Sequence, residues 1–485
     1  MDKKKKDSIV IFCIVIALLI VFAVMYANSK KTNNENLEND PKSLQSGEMI
    51  PSTPKGNRPS GDKMPGVPGG NPPSGEKGGI GGPGGPGSSS NVNSEEAKAA
   101  TVITDTQTLK ETYETSKEDE SAIRVSNGGN LTLDGAIVNK TAGDSSNTED
   151  SEFYGINAGL LTTKGSTTTI KNAKITTNAK GANAIFATGE NAKIYLSDTR
   201  ITTTGTSSSR GLDSTYGGYI EADNVTISTQ GGSCATLATD RGEGTVIARN
   251  STLSTAGAGS PIIYSTGNIT VEKTNGTATG AQMVVVEGKN TATVTSSTLK
   301  ASGKGNRNNV DHCGVMIYQS MSQDAAIGTG TFNSTDSTLQ ITEGSYYQIA
   351  PFFFITNTDA VINLKNTILK YGSNLLLKIV GTSEWGNSGS NGGNVTFNAV
   401  TQKLEGNIEL DAISTLIMNL TNSSELKGTI NGNNKAKSVS LKLDDTSTLT
   451  LTGDSYITSL DNADSANGNI NFNGYSLYVD GTKIN

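Results

Sequence analysis

Eight times along the chain a small polar residue stands three positions before an Ile or Leu. The pairs are Asp134 before Ile137, Asn172 before Ile175, Asp198 before Ile201, Asn224 before Ile227, Asn250 before Leu253, Ser296 before Leu299, Asp336 before Leu339 and Asn366 before Leu369. From Asp198 the spacing is 26 to Asn224, 26 to Asn250 and 25 to Asn275. Two other kinds of short β-branched run lie between these marks. One occurs at 123–125, 156–158, 185–187, 262–264, 284–286, 315–317 and 353–355, and the other at 131–133, 168–170, 194–196, 219–221, 269–271 and 361–364. Three run types that alternate, with a polar mark at a constant offset, describe a chain that repeats one structural unit.

The physical reading of such a unit is narrow. Asn, Asp and Ser tolerate left-handed or tight backbone and hydrogen-bond to neighbouring peptide groups, so each mark is a turn. Short runs between turns are strands, and equivalent strands that stack about 4.8 Å apart bury each other's apolar residues. The result is a parallel β-helix, whose coils depend on their neighbours and whose ends need caps. A β-sandwich would not keep one offset through eight repeats, and a propeller needs four strands per blade. Composition agrees: 56 Gly and only 5% aromatic residues favour a turn-rich all-β chain over a core of large rings. From Ile413 strands continue with an irregular offset, so residues 411–485 read as further coils and a C-terminal β cap.

The first hundred residues differ. Lys3 to Lys6 precede an uncharged run at 9–26, about 27 Å as a helix and close to a bilayer's hydrocarbon thickness. Residues 1–8 are therefore read as a basic cytoplasmic tail and 9–27 as a transmembrane signal-anchor, with a cleaved signal peptide as the alternative. Ten of the twelve prolines fall between Pro41 and Pro86, so 28–98 reads as a disordered linker. As a coil of about 65 residues it would reach about 45 Å. Residues 99–410, the main β-helix, would then lie outside the cell.

Chemistry is sparse. With 39 basic and 46 acidic residues the net charge is −7, which makes nucleic acid an improbable partner. One His and three Cys leave no multi-histidine metal centre and no disulfide scaffold, and no cofactor motif is present. His312 reads as a loop or strand-edge residue, and Asp444 with Asp445 as a solvated turn. Asp213 and Asp240 occupy similar places in consecutive coils, with Tyr216 near the first and Arg241 and Glu243 beside the second. A charged turn is the ordinary reading of this group, and a ligand surface is the functional one. Tyr216, Tyr219, Tyr264, Tyr318 and Trp385 have the chemistry to stack on sugar rings, while Phe352, Phe353 and Phe354 suit the core.

Local sequences add a resemblance. SEFYGI at 151–156, ATDRGEG at 238–244, YQSMS at 318–322 and WGNSGSNG at 385–392 resemble stretches of right-handed parallel β-helix proteins of the pectin-lyase-like superfamily, in particular membrane-anchored, adhesin-like surface proteins of Gram-positive bacteria. The resemblance implies a right-handed helix with three short strands per coil. It also implies either a surface protein that binds glycan or another cell without catalysis, or an extracellular polysaccharide lyase or glycoside hydrolase. Lyases on this fold use a Lys or Arg base with acidic calcium ligands, and hydrolases use three Asp near a Gly-His-Gly. Neither set is evident, so the non-catalytic reading leads and extracellular polysaccharide or a host or cell surface is the expected partner.

The repeat also predicts thiol chemistry. Strands near Ile263 and Val285 separate the coil of Cys234 from that of Cys313, which places the two three coils apart. Three spacings give about 14 Å, and a disulfide needs Cα atoms within about 7 Å. Both are expected to remain free thiols near the starts of inward-facing strands, packed as small apolar residues. Non-reducing peptide mapping is expected to find no link between residues 234 and 313, and such a link would show the coil register to be wrong.

Overall fold

The computed structural model describes residues 92–485, apart from Asn308 and Gln323. The transmembrane span expected at 9–27 and the linker up to residue 91 lie outside the described residues. Among the described residues no helix is long and apolar enough to cross a membrane. After a short 3-10 turn at Ser94–Glu96, strands follow one another in threes. Most of them join one of three long parallel sheets of 12, 14 and 10 strands. The first sheet runs from Ala99–Ile103 to Asn407–Leu410, the second from Thr106–Leu109 to Ser459–Asn462, and the third from Thr112–Thr115 to Ile368–Lys370. Three parallel sheets with three strands per coil is the arrangement of a right-handed parallel β-helix.

Alternation explains the interior. In Lys193–Ser197 only Ile194 and Leu196 point inward and are buried. Ile194 stacks on Ile220, then on Val246, Ile269, Ala292 and Phe332 in successive coils. Such columns fill the lumen with one continuous apolar core. Phe352 and Phe353 belong to it, whereas Phe354 faces out into a separate cluster with Val285, Cys313, Met316 and Trp385.

The turn marks have the backbone they require. Asn172, Asp198, Asn224, Asn250, Ser296, Asp336 and Asn366 all have φ between +47° and +53°. Three expectations shift by a residue or more. In the first of the eight repeats Gly135 (φ +73°), not Asp134, takes the left-handed place, so Val138 is buried and Ile137 is exposed. Glycine adopts that conformation without a Cβ clash, and the turn moves to it. After Asn250 the left-handed residue is Lys273 (φ +48°), while Asn275 opens a strand and pairs with Thr252. The run at 156–158 is also a turn, because Gly155 and Asn157 are both left-handed; the strand there is Leu160–Thr162.

The residue after each mark forms a second column, inside the wall. The amide of Val225 donates to Ser251 Oγ at 3.1 Å, that of Ser251 to Thr274 Oγ1 at 3.3 Å, that of Thr274 to Ser297 Oγ at 3.0 Å and that of Ser297 to Ser337 Oγ at 3.1 Å. These hydroxyls satisfy buried peptide N–H groups that the turn withdraws from the sheet ladders. Another column joins Ser209, Cys234 and Ser260. The Ser209 amide donates to Cys234 Sγ at 3.3 Å, and the Cys234 amide to Ser260 Oγ at 2.9 Å. Cys234 therefore stands in for a serine, not merely for an apolar residue. Both cysteines are free and buried, and their coils are three strands apart in the first sheet. Cys313 differs from expectation in packing on the outer cluster, because the turn at 303–313 folds back over the sheet.

Beyond Ile368–Lys370 the third strand of each coil belongs to a separate four-stranded sheet, beginning at Lys403–Glu405. At the C-terminal end Thr482–Lys483 pairs antiparallel with Leu477–Val479. Antiparallel pairing there interrupts the parallel stacking that an open edge would otherwise extend.

Where coils approach most closely, only glycine fits. A Cβ on Gly231 would stand 1.8 Å from the Gly205 carbonyl oxygen, and one on Gly257 1.7 Å from that of Gly231. Gly257→Ala is expected to cost about 1–3 kcal/mol by overpacking. Urea unfolding checks this: a lower midpoint with an unchanged m-value is expected, and an unchanged midpoint would contradict the close approach.

Candidate functional site

The first sheet is buried on both sides. Ile185–Thr188, Leu212–Thr215, Val284–Glu287 and Phe353–Thr356 are buried at every position, although alternate residues must face away from the lumen. The helix Thr148–Tyr154 and the long turns at 303–313, 319–327 and 380–391 cover that outer face. One outward column runs Phe186, Asp213, Ala238, Tyr264, Val285, Met316 and Phe354. Asp213 thus aligns with Ala238, and Asp240 lies two residues further along its own coil. The two carboxylates are diagonal neighbours, not equivalents.

Arg210 joins them. Its Nη1 donates to Asp213 Oδ2 and to Asp240 Oδ2, each at 2.7 Å, so these two oxygens are at most 2.7 + 2.7 = 5.4 Å apart. Arg210 is 7% exposed, Asp213 0% and Asp240 4%. The expected charged turn is therefore a buried ion cluster on the sheet, because Asp213 lies within a strand and the covering loops exclude water. One guanidinium between two carboxylates leaves a surplus negative charge. Burial pushes the Asp240 carboxyl up, Arg210 opposes the rise, and Asp213 adds to it. Burial raises Asp213 as well, again against Arg210. The remaining oxygen of Asp240 accepts from the Arg241 amide at 3.0 Å, while Asp213 Oδ1 is buried without a partner.

A third buried carboxylate lies nearby. Glu287 Oε2 accepts from the hydroxyls of Tyr264 at 2.7 Å and Tyr318 at 2.8 Å, and Oε1 accepts from Ser320. Burial holds both phenols well above their ordinary pKa, and Glu287 adds to the effect. Trp385 meets Tyr318 edge-on with ring centres 5.3 Å apart. Arg210, Asp240, Tyr264, Tyr318 and Trp385 wall a half-open cavity of about 290 Å³, lined also by Glu152, Gln282, Arg307, Asp311 and Asp324. A larger hollow of about 980 Å³ runs past the edge of the third sheet, with Tyr371 and the exposed pairs Lys403–Glu425 and Lys427–Glu405 on its wall. Those pairs are exposed and screened by solvent, whereas the smaller cavity is lined by the buried Arg210 and Asp240, so it is the candidate site.

The other sequence candidates separate. Arg241 lies over the Phe153 ring at 3.8 Å and pairs with Asp324 at 2.7 Å, which places it at the cavity's edge through its partner. Tyr216 stacks on Tyr154 at 5.7 Å, and Glu243 pairs with Lys289 at 2.7 Å; neither lines the cavity. Tyr264, Tyr318 and Trp385 do, and Tyr219 does not, since it packs beside Tyr195 on the second sheet. His312 lies outside it: Nδ1 accepts from the Gly305 amide at 2.7 Å and the ring packs on Tyr346. Among the described residues no group of three or more His, Cys, Asp or Glu is arranged to hold a metal ion. Sequence reasoning missed Arg210 and Glu287, although an Arg three residues before a buried Asp was a usable signal.

The ion cluster predicts a pH-dependent defect. Arg210→Met leaves two buried carboxyls with no counter-charge, a loss of about 3–5 kcal/mol at pH 7. Both groups bind protons more tightly folded than unfolded, so the variant loses stability as pH rises above the unfolded Asp value of about 3.9. Denaturant melts are expected to show its deficit against the parent shrinking from pH 7 toward about pH 4. A deficit that stays constant would refute the ionic account.

No family model matches this chain, and no curated protein matches it. Among solved structures it is similar to an alginate lyase from Paenibacillus sp. str. FPU-7, at 13% identity and a TM-score of 0.22, over 55% of this chain and 99% of that one.

Proposed function

We propose that this chain is a carbohydrate-active protein, displayed outside the cell, whose cavity on the outer face of the first sheet binds a glycan unit and supplies a proton from Asp240. The observation that carries this reading is the buried Arg210–Asp213–Asp240 cluster at a cavity walled by Tyr264, Tyr318 and Trp385. Aromatic walls with a few convergent polar groups are what a sugar-sized site requires. A carboxyl held protonated by burial is a donor for the departing oxygen of a glycosidic bond. Hydrolysis by water demands a second carboxylate, and Glu152, which also lines the cavity, is the candidate for it, since Asp324 is paired with Arg241.

Proton donation fits better than the proton abstraction of a lyase. Arg210 is held by two carboxylates, and the Tyr264 and Tyr318 hydroxyls donate to Glu287, so the buried part of the wall offers no free base, and Arg307 lies at the exposed rim. The apolar run at 9–26 behind four lysines supports display at the cell surface.

The test is turnover of a broad polysaccharide panel by the purified protein. Asp240→Asn keeps the shape and removes the acid; it is expected to lower kcat by about 10²-fold or more with little change in KM. The parent is expected to lose activity as pH rises through the raised Asp240 titration. Binding without turnover by the parent would turn the proposal into that of a glycan-binding adhesin. An Asp240→Asn enzyme of full activity would end the acid role.

A further inference from the structure

The charge around the cavity says which sugars it can take. Four carboxyl groups line it, Glu152, Asp240, Asp311 and Asp324, against two guanidiniums, Arg210 and Arg307. Asp324 is paired with Arg241 at the edge, and with the acid's proton on Asp240 the unpaired negative charge of the lining lies on Glu152 and Asp311. Arg210 is already held by Asp213 and Asp240, and Arg307 is exposed, where solvent and salt screen it. Asp213 and Glu287 stand just behind the wall and are fully buried. The field at the cavity centre is therefore negative, and burial strengthens it relative to an exposed patch.

Building on the carbohydrate reading above, we propose that this cavity selects a sugar unit without a carboxylate, prefers a protonated amino sugar to a neutral one, and rejects uronates. A uronate would bring a like charge against Glu152 and Asp311 and lose its own hydration there. Of the lining guanidiniums Arg210 is taken up by Asp213 and Asp240, which leaves the exposed, solvent-screened Arg307 to receive it in the bidentate way that carboxylate recognition normally uses. An ammonium gains from both features of the site. It meets surplus carboxylate, and it meets the faces of Tyr264, Tyr318 and Trp385, whose ring quadrupoles attract cations. The alcohol groups of any sugar find acceptors in the same carboxylates, so a neutral sugar ranks between the two.

Calorimetry on the full chain in detergent, with glucosamine, glucose and galacturonate oligosaccharides of equal length at about pH 6, tests the order. The glucosamine oligomer is expected to bind about 10-fold or more tighter than the galacturonate one, with glucose between, and added salt should narrow the gap. Glu152→Gln preserves the shape and the acceptor for Ser208 Oγ, and it too should narrow the gap. Asp324→Asn, which releases Arg241, should narrow it independently. Galacturonate binding as tight as glucosamine would overturn the selectivity and leave the carbohydrate reading standing. Binding of none of the three would overturn both.

Discussion

Every part of this molecule depends on the parallel backbone ladder between successive coils. Each strand must present its N–H and C=O groups to strands above and below, so each coil has to retrace its neighbour at every sheet position. The turns are where that requirement is hardest to meet, because peptide groups leave the ladder there. Left-handed Asx residues bend the chain from the second sheet into the third, and buried Ser and Thr hydroxyls accept the amides that would otherwise be orphaned. Glycine at 205, 231 and 257 allows the backbone of one coil to lie against the next. Regular sheets and specialised turns are one device.

The same constraint decides where extra chain can go. Successive marks at Asn224 and Asn250 are 26 apart, but Ser296 and Asp336 are 40 apart. The additional residues fall in the turns at 303–313 and 319–327, outside the strands. They fold over the outer face of the first sheet, as do the helix Thr148–Tyr154 and the turn at 380–391. An outward face that would be solvated on an unadorned coil becomes a second, smaller interior. Phe186 and Leu161 make one apolar patch there, and Val285, Met316, Phe354 and Trp385 make another.

Burying charge in that interior is costly unless each ion is matched. The match is incomplete at Arg210, where two carboxylates share one guanidinium, and it is made by hydroxyls at Glu287. A residual negative charge in an aromatic-walled cavity is poor material for stability. It is suited to proton transfer and to choosing between charged ligands.

The β-helix was legible in the order of residues, because its period is local: a turn residue, an offset of three and alternating apolar positions recur whatever the rest of the chain does. Even the errors were local. Gly135 competed with Asp134 for one left-handed place, and Lys273 took another without announcing itself as an Asx residue. The separation of Cys234 from Cys313 followed from counting coils. The site was only half legible. Asp213 and Asp240 stood out as charges in consecutive coils, but their partner Arg210 belongs to a turn whose direction sequence does not encode, and Glu287 is four coils' worth of pairing away from Phe186 in the same sheet. Tyr216 and Glu243 looked equivalent to them and face elsewhere. Sequence by itself determined the repeat, the alternation of apolar positions within it and the number of coils between Cys234 and Cys313, since backbone stacking reads only nearest-neighbour pattern. Tertiary structure alone decided which outward face is covered, which charges lose their water and which side chains converge, because burial of an outer face depends on distant loops folding back over it.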